Sequence, residues 1–317
     1  MKSSAHAIIC PACSGGDNYE VESMGQYRIL CCNNCRLLFA DPMLAADPQY
    51  YVQHIVYQRT DAGTVWTHYR SAKKAINRQL LCMVPPHGRV LDIGCGYGAF
   101  VKVALESDLD AYGLDFNAKH ICAGRIYFGL GQRLMEGTIN ELWRHISKEK
   151  QFDLITMFEV IEHVEEPAKL LREAHSYLRV GGILAVSCPN EARWQPTGRI
   201  FVDYPPHHLT RWRPDTMRMF LEHCGFKHIH TQIDSSFRDL FWVAYVNRSA
   251  RKRLARKLST PSNEQKTSFS EFHCSPTTRS IKMKLDSLLR MTSAPFDTML
   301  KANRIGTMGM LIVARKI

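Results

Sequence analysis

Small sets of residues in this chain have the types and spacings that chemistry needs. Asp92 stands two residues ahead of Gly94, which leads Gly96 and Gly98, and Asp115 lies 23 positions past Asp92. Glycines at alternate positions turn a chain sharply and let a ligand approach unpaired backbone amides. Gly94, Gly96 and Ala99 fit the dinucleotide spacing G-x-G-x-x-G/A. A carboxylate at Asp92, however, would repel a pyrophosphate and suits a cationic ligand. A carboxylate about 20 residues past such a loop accepts ribose hydroxyls, the role expected of Asp115. A second set is sulfur: Cys10-Pro11-Ala12-Cys13 and Cys31-Cys32-Asn33-Asn34-Cys35. Two C-x-x-C pairs make Cys10, Cys13, Cys32 and Cys35 a tetrahedral zinc set, with Cys31 spare. A segment this short has too little core to fold without a metal; the alternative is free thiols on a disordered arm. The third set is histidine: Glu162-His163 and His207-His208. A neutral imidazole is a suitable base for a hydroxyl near pH 7, although each of these could instead orient backbone.

The elements that must hold these residues alternate. Val90–Ile93 reads as a short buried strand and Phe100–Glu106 as the helix after it. Ala111–Asp115 is a second strand, with Asn117 a fair N-cap for a helix through Ile126. Strands follow near Arg133–Thr138, Phe152–Met157 and Ile183–Ser187, the last after a turn at Gly181-Gly182. Ala168–Leu178 and Pro214–Cys224 read as helices, and Lys227–Ile233 and Thr307–Arg315 as the final strands. The order through Ser187 implies an α/β fold, a doubly wound parallel sheet that binds its ligand at the carboxyl ends of its strands, and the last two strands read as an antiparallel pair split by some seventy residues. Ahead of it, Tyr27–Leu30 alternates like a strand and Trp66–Met83 reads as one helix, with Tyr50 and Tyr51 candidates to line the pocket.

Val90–Phe100 resembles motif I of the class I S-adenosylmethionine (SAM) methyltransferases. Phe158-Glu159-Val160-Ile161-Glu162-His163-Val164 resembles motif IV of ubiquinone-type O-methyltransferases, and departs from the Asn/Asp-Pro-Pro-Tyr motif of enzymes that methylate amines. His207-His208-Leu209, then Trp212, a helix and Gly225-Phe226 is similar in order to a group of small-molecule methyltransferases, many with an N-terminal cysteine ribbon. The resemblance covers about residues 89–233 and the last strand. It implies a Rossmann-like seven-stranded sheet, with a small N-terminal zinc ribbon and an α-helical insertion before the last strand. It also implies SAM as cofactor and methyl transfer to a small-molecule acceptor, foremost an oxygen. The residues expected at the cofactor are Asp92, Gly94, Cys95, Gly96, Gly98, Asp115, Phe116, Thr138, Phe158 and Glu159. Those expected at the chemistry are His207, His208 and His163, with Zn2+ structural.

The 317 residues, 45% of them hydrophobic, suffice for one large domain with appendages. We divide them into a ribbon (1–40), a linker and helix (41–88), a SAM-binding core (89–236), a basic helical insertion (237–304) and a last strand (305–317). No run of about 18 apolar residues is present, and Met1–Ala7 lacks an apolar signal core, which points to the cytoplasm. Of the 11 cysteines, Cys82, Cys95, Cys122, Cys188 and Cys224 read as reduced structural thiols. The net charge of +11 is concentrated late. Leu240, Val243, Leu254 and Leu258 fall at helical spacing beside Arg248, Arg251, Lys252, Arg253, Arg256 and Lys257. With Phe241 and Trp242, that segment suggests contact with an anionic membrane surface or a lid; a packed helix with a solvated face is the plainer reading. The rival functions are an RNA methyltransferase, a NAD-binding oxidoreductase and a SAM-binding protein without turnover. Against the first, the basic residues sit in one late helix; against the second stand Asp92 and the Phe158–Val164 run.

Overall fold

The computed structural model describes residues 8–47, 59–144, 146, 151–193, 199, 203–233 and 309–317. The insertion at 237–304, with Phe241 and Trp242, lies outside the described residues, as do Tyr50 and Tyr51.

The central element is a seven-stranded sheet. Its strands are β4 (Arg89–Ile93), β5 (Asp110–Asp115), β6 (Leu134–Glu136), β7 (Phe152–Phe158), β8 (Leu178–Pro189), β10 (Phe226–Ile233) and β11 (Gly309–Lys316). They lie in the order β10-β11-β8-β7-β4-β5-β6. β4 pairs in parallel with β5 and β7, whereas β11 runs antiparallel to both β8 and β10. The chain leaves β4 toward β5 and β6, then returns to lay β7 on its other side. That reversal opens a crevice at the carboxyl ends of β4 and β7, where open α/β sheets bind ligands.

Both faces of the sheet are covered, so its strands read as continuous apolar runs. Successive residues go to opposite sides. Leu91, Ile155, Leu184 and Val186 join one buried cluster, and Val90, Leu154, Ile183 and Ala185 the other. Helices α3 (Ala99–Glu106) and α4 (Ala118–Phe128) follow β4 and β5, and α5 (Pro167–Tyr177) follows β7. The Gly181-Gly182 pair makes an irregularity rather than a turn. β8 runs through it, with the partners of β7 jumping from Leu178 to Ile183. Gly181, at φ +75°, is the residue that permits this.

The segment expected as one helix over Trp66–Met83 is two: α1 (Ala62–Ala72) and α2 (Ala75–Leu81). Asp61 starts α1 by accepting the Thr64 amide at 3.0 Å. Lys74 is extended at ψ 152°, and the Asn77 side-chain Nδ2 donates to the Ala72 carbonyl at 3.0 Å, satisfying the end of α1.

The N-terminal strands β1 (Asn18–Met24), β2 (Tyr27–Cys32) and β3 (Leu38–Asp41) form an antiparallel meander. A fourth strand, β9 (Thr210–Arg211), completes this sheet from the far end of the chain, followed by α6 (Pro214–His223). The ribbon is not a separate body. Leu30, Leu37 and Phe39 share a buried cluster with Leu91 and Ile155 of the large sheet and with Trp212 and Phe220.

Candidate active site

At the end of β4 the chain passes through Gly94, Gly96 and Gly98 at φ +74°, +54° and +74°. A Cβ on Gly94 would stand 2.4 Å from Val160, and one on Gly98 2.6 Å from Leu134. At Gly96 it would meet open space, so that glycine faces the crevice. Cys95 is buried with its sulfur against Gly113, leaving its backbone as the part that faces the loop.

The two carboxylates expected at the cofactor are both buried. Thr156 donates its hydroxyl to Asp92 at 2.6 Å. Burial, with Asp115 adding repulsion, still pushes the Asp92 carboxyl up to about 7. Asp115 accepts the amides of Gly96 and Asn117, each at 2.8 Å, which fixes its carboxylate at the end of β5. Its acidity too is weakened by burial. Asn117 caps α4 through Lys119 and His120. Phe116 is exposed, Phe158 half-buried and edge-on to Phe100 at 5.2 Å. Thr138 gives its amide to Glu141 at 3.1 Å, a local turn contact. Glu159, at the tip of β7, holds φ +58°, a conformation that a non-glycine residue adopts at a cost. Ser187 fixes it, donating to its carboxylate at 2.8 Å.

The three histidines expected at the chemistry lie beyond this tip. His163, His207 and His208, far apart in sequence, come together: the His163 ring lies 4.6 Å from His207 and 4.8 Å from His208. His207 and His208 stack at an interplanar angle of 17°. The Nδ1 of His163 meets the His207 carbonyl at 2.6 Å, which places the proton on Nδ1 and leaves Nε2 as the acceptor. Desolvation holds His163 down to about 4 and His208 to about 2, so both are neutral imidazoles. Glu162 is 1% exposed, and among the described residues neither carboxylate oxygen has a hydrogen-bond partner. Burial, reinforced by Glu159, raises its pKa well above the usual carboxylate range.

Arg193, Asp203 and Tyr204, which sequence reasoning left out, frame this cluster together with Arg211, a candidate contact for an acidic substrate group that is buried here rather than solvated. Arg193 grips Asp203 at 2.6 and 2.7 Å, and Arg211 donates Nε to the Asp203 carbonyl while stacking on Tyr204. Thr156 carried a signal of its own, a hydroxyl amid the apolar run Leu154-Ile155-Thr156-Met157. Asp203 and Tyr204 carried none.

At the ribbon's tip, Cys10 Sγ lies 3.5 Å from Cys35 Sγ and Cys13 Sγ 3.5 Å from Cys32 Sγ. All four sulfurs lie within 4.8 Å of one another and none is in a disulfide. Zinc–sulfur bonds of about 2.3 Å in a tetrahedron place sulfurs about 3.8 Å apart, so the set fits a zinc ion. The hydrogen bond between Cys10 and Cys35 favours the thiolate on Cys10 and disfavours it on Cys35, so the pair shares one readily lost proton.

Comparison with known proteins bears on the family. The chain is 28% identical over 151 residues to the ubiquinone biosynthesis O-methyltransferase of Marinobacter nauticus, across 44% of this chain and 63% of that one. It is 28% identical over 129 residues to the enzyme of that name from Bradyrhizobium sp., across 40% and 48%. It thus spans less than two thirds of these relatives. A SAM-dependent methyltransferase structure from Archaeoglobus fulgidus superimposes with a TM-score of 0.49 at 19% identity, over 81% of this chain and all of that one. The methyltransferase domain family model matches residues 66–243, more than half of the chain. The protein therefore belongs to the methyltransferase domain family, and its seven-stranded sheet is that of a class I SAM methyltransferase.

Proposed function

We propose that this protein transfers the methyl group of SAM to a small-molecule acceptor, foremost an oxygen. One observation carries the reading: two buried carboxylates, Asp92 and Asp115, flank a glycine loop open at Gly96, and a histidine cluster is built on the turn after Val160, the residue that packs on Gly94. Asp92 would hold the cationic end of the cofactor and Asp115 the ribose hydroxyls. SAM supplies an already activated methyl, so the protein's own task is alignment and exclusion of water. A proton acceptor works best with a pKa near the working pH. We assign the acceptor's proton to His207 or His208, with His163 oriented by its bond to the His207 carbonyl. Calorimetry tests the cofactor: SAM should bind and NAD should not, and the reverse would overturn the reading. The naming of relatives as ubiquinone O-methyltransferases supports an oxygen acceptor.

A second reading is favoured by Glu162, whose carboxylate accepts no hydrogen bond among the described residues. His163, His207 and His208 offer ligand atoms within 4.8 Å of one another beside that carboxylate. A buried carboxylate must be neutralised, by a proton or by a cation. A divalent cation held there would orient the acceptor oxygen and make it more acidic. Glu162→Gln separates the two. If a proton neutralises Glu162, the variant folds as well as wild type and Mn2+ binds neither protein at this cluster. If a cation does, wild type binds Mn2+ and the variant loses it.

We further propose that Cys10, Cys13, Cys32 and Cys35 hold one structural Zn2+. Metal analysis finding no zinc, with all four thiols free, would remove it.

A further inference from the structure

The ribbon and the histidine loop are one sheet. Leu38 pairs with Arg211 and Phe39 with Thr210. The Ala40 amide donates to the Leu209 carbonyl at 2.8 Å, and the Leu209 amide donates to the Glu162 carbonyl at 2.7 Å. Leu209, directly after His208, is thus clamped between the ribbon and the Glu162-His163 turn. Its side chain packs with Tyr27, Ile29, Leu38 and Ala40. Two further bonds link the same parts: the Thr216 hydroxyl donates to the carbonyl of Cys35 at 2.6 Å, and the Tyr204 hydroxyl to Glu22 at 3.0 Å. Thr216 is 3% exposed, and it ties a cysteine of the metal cluster to the helix that leaves the loop. The cofactor carboxylates are held from elsewhere, Asp92 by Thr156 and Asp115 by Gly96 and Asn117.

We propose that the cysteine cluster positions the acceptor half of the active site. With zinc bound, the ribbon holds His207 and His208 against Glu162 and His163; without it, the cofactor half persists and the acceptor half loosens. This rests on the zinc reading above. Thr216 is a positioning residue in this scheme, acting through Cys35 and the loop rather than on substrate.

The test uses the full chain. Replacing zinc by Co2+ gives a thiolate-to-cobalt absorption band specific to the cysteine site. The metal is then removed by chelation, with amide hydrogen exchange followed in residues 203–213 and SAM binding followed by calorimetry. Exchange at Leu209 and its neighbours should rise roughly tenfold or more, as expected when a segment loses its tertiary bonds, while SAM affinity changes less than about twofold. Thr216→Val should keep the cobalt band and raise loop exchange, and Thr216→Ser should restore protection. Unchanged exchange in 203–213 after metal loss would overturn the proposal. So would a parallel loss of SAM binding, which would make the ribbon a general scaffold. A missing cobalt band would instead overturn the zinc reading beneath it, and the proposal with it.

Discussion

Asp92 shows how a functional residue can oppose the fold that carries it. Its carboxyl is pushed to about 7, above the ordinary carboxylate value near 3.8, because burial disfavours the charge. A group with a raised folded-state pKa leaves the apoprotein's stability intact at low pH. That stability is then lost as pH rises from about 4 to about 7, by an amount on the order of a few kcal/mol. Asp92→Asn should therefore raise the melting temperature of the apoprotein at pH 8 and leave it nearly unchanged at pH 4. The same variant should bind SAM at least about tenfold more weakly, since an uncompensated cationic ligand costs more than 1.4 kcal/mol. In wild type, SAM affinity should rise between pH 6 and 8, and calorimetry in buffers of different ionisation enthalpy should show proton release. A melting temperature that falls in Asp92→Asn at pH 8 would contradict the sign. Asp92, the glycines and Asp115 were all legible in the sequence because their chemistry is written in local spacing. The histidine cluster was not legible as a cluster. His163 and His207 lie 44 residues apart, and tertiary bonds such as that from the Leu209 amide to the Glu162 carbonyl draw them together.

At the scale of elements, the strand–loop–helix unit after β4 makes two glycines do different things. Gly94 is packed against Val160, whereas Gly96 opens on the crevice, although both have positive φ. Gly94→Ala should lower the melting temperature strongly, through a collision added to strain. Gly96→Ala should cost only about 1 kcal/mol of stability, the strain of a left-handed residue, yet weaken SAM binding by intruding on the ligand's approach. Thermal melts beside SAM titrations read the two effects separately. The core elements were legible because their apolar runs are long and their turns carry glycine. α1 and α2 were merged in the reading because the break at Lys73-Lys74 contains neither glycine nor proline; an asparagine side chain ends the helix instead. β9 escaped because two residues have no periodicity, and its strand character comes entirely from the edge of β3.

Across the whole molecule, the ribbon serves as a wall of the core. Leu37 and Phe39 are at most 1% exposed and plug the face that also holds Trp212 and Phe220. Burial of each such side chain contributes roughly 1.5–3 kcal/mol, so losing several rivals the total stability of a domain. A chain starting at residue 42 should therefore lose its cooperative thermal transition and bind a hydrophobic dye. Removal of zinc alone, which leaves Leu37 and Phe39 in the chain, should not do this. A soluble truncated chain that still melts sharply would show the ribbon to be dispensable. The β3–β9 pairing also sets an order of assembly. β3 leaves the ribosome about 170 residues ahead of the strand that covers its outer edge. Through most of synthesis that edge presents unpaired amides and carbonyls, the kind of surface that recruits other strands. The His207-His208 loop is thus the last part to join the ribbon sheet, and a nascent chain can complete its glycine loop well before those two histidines are held in place.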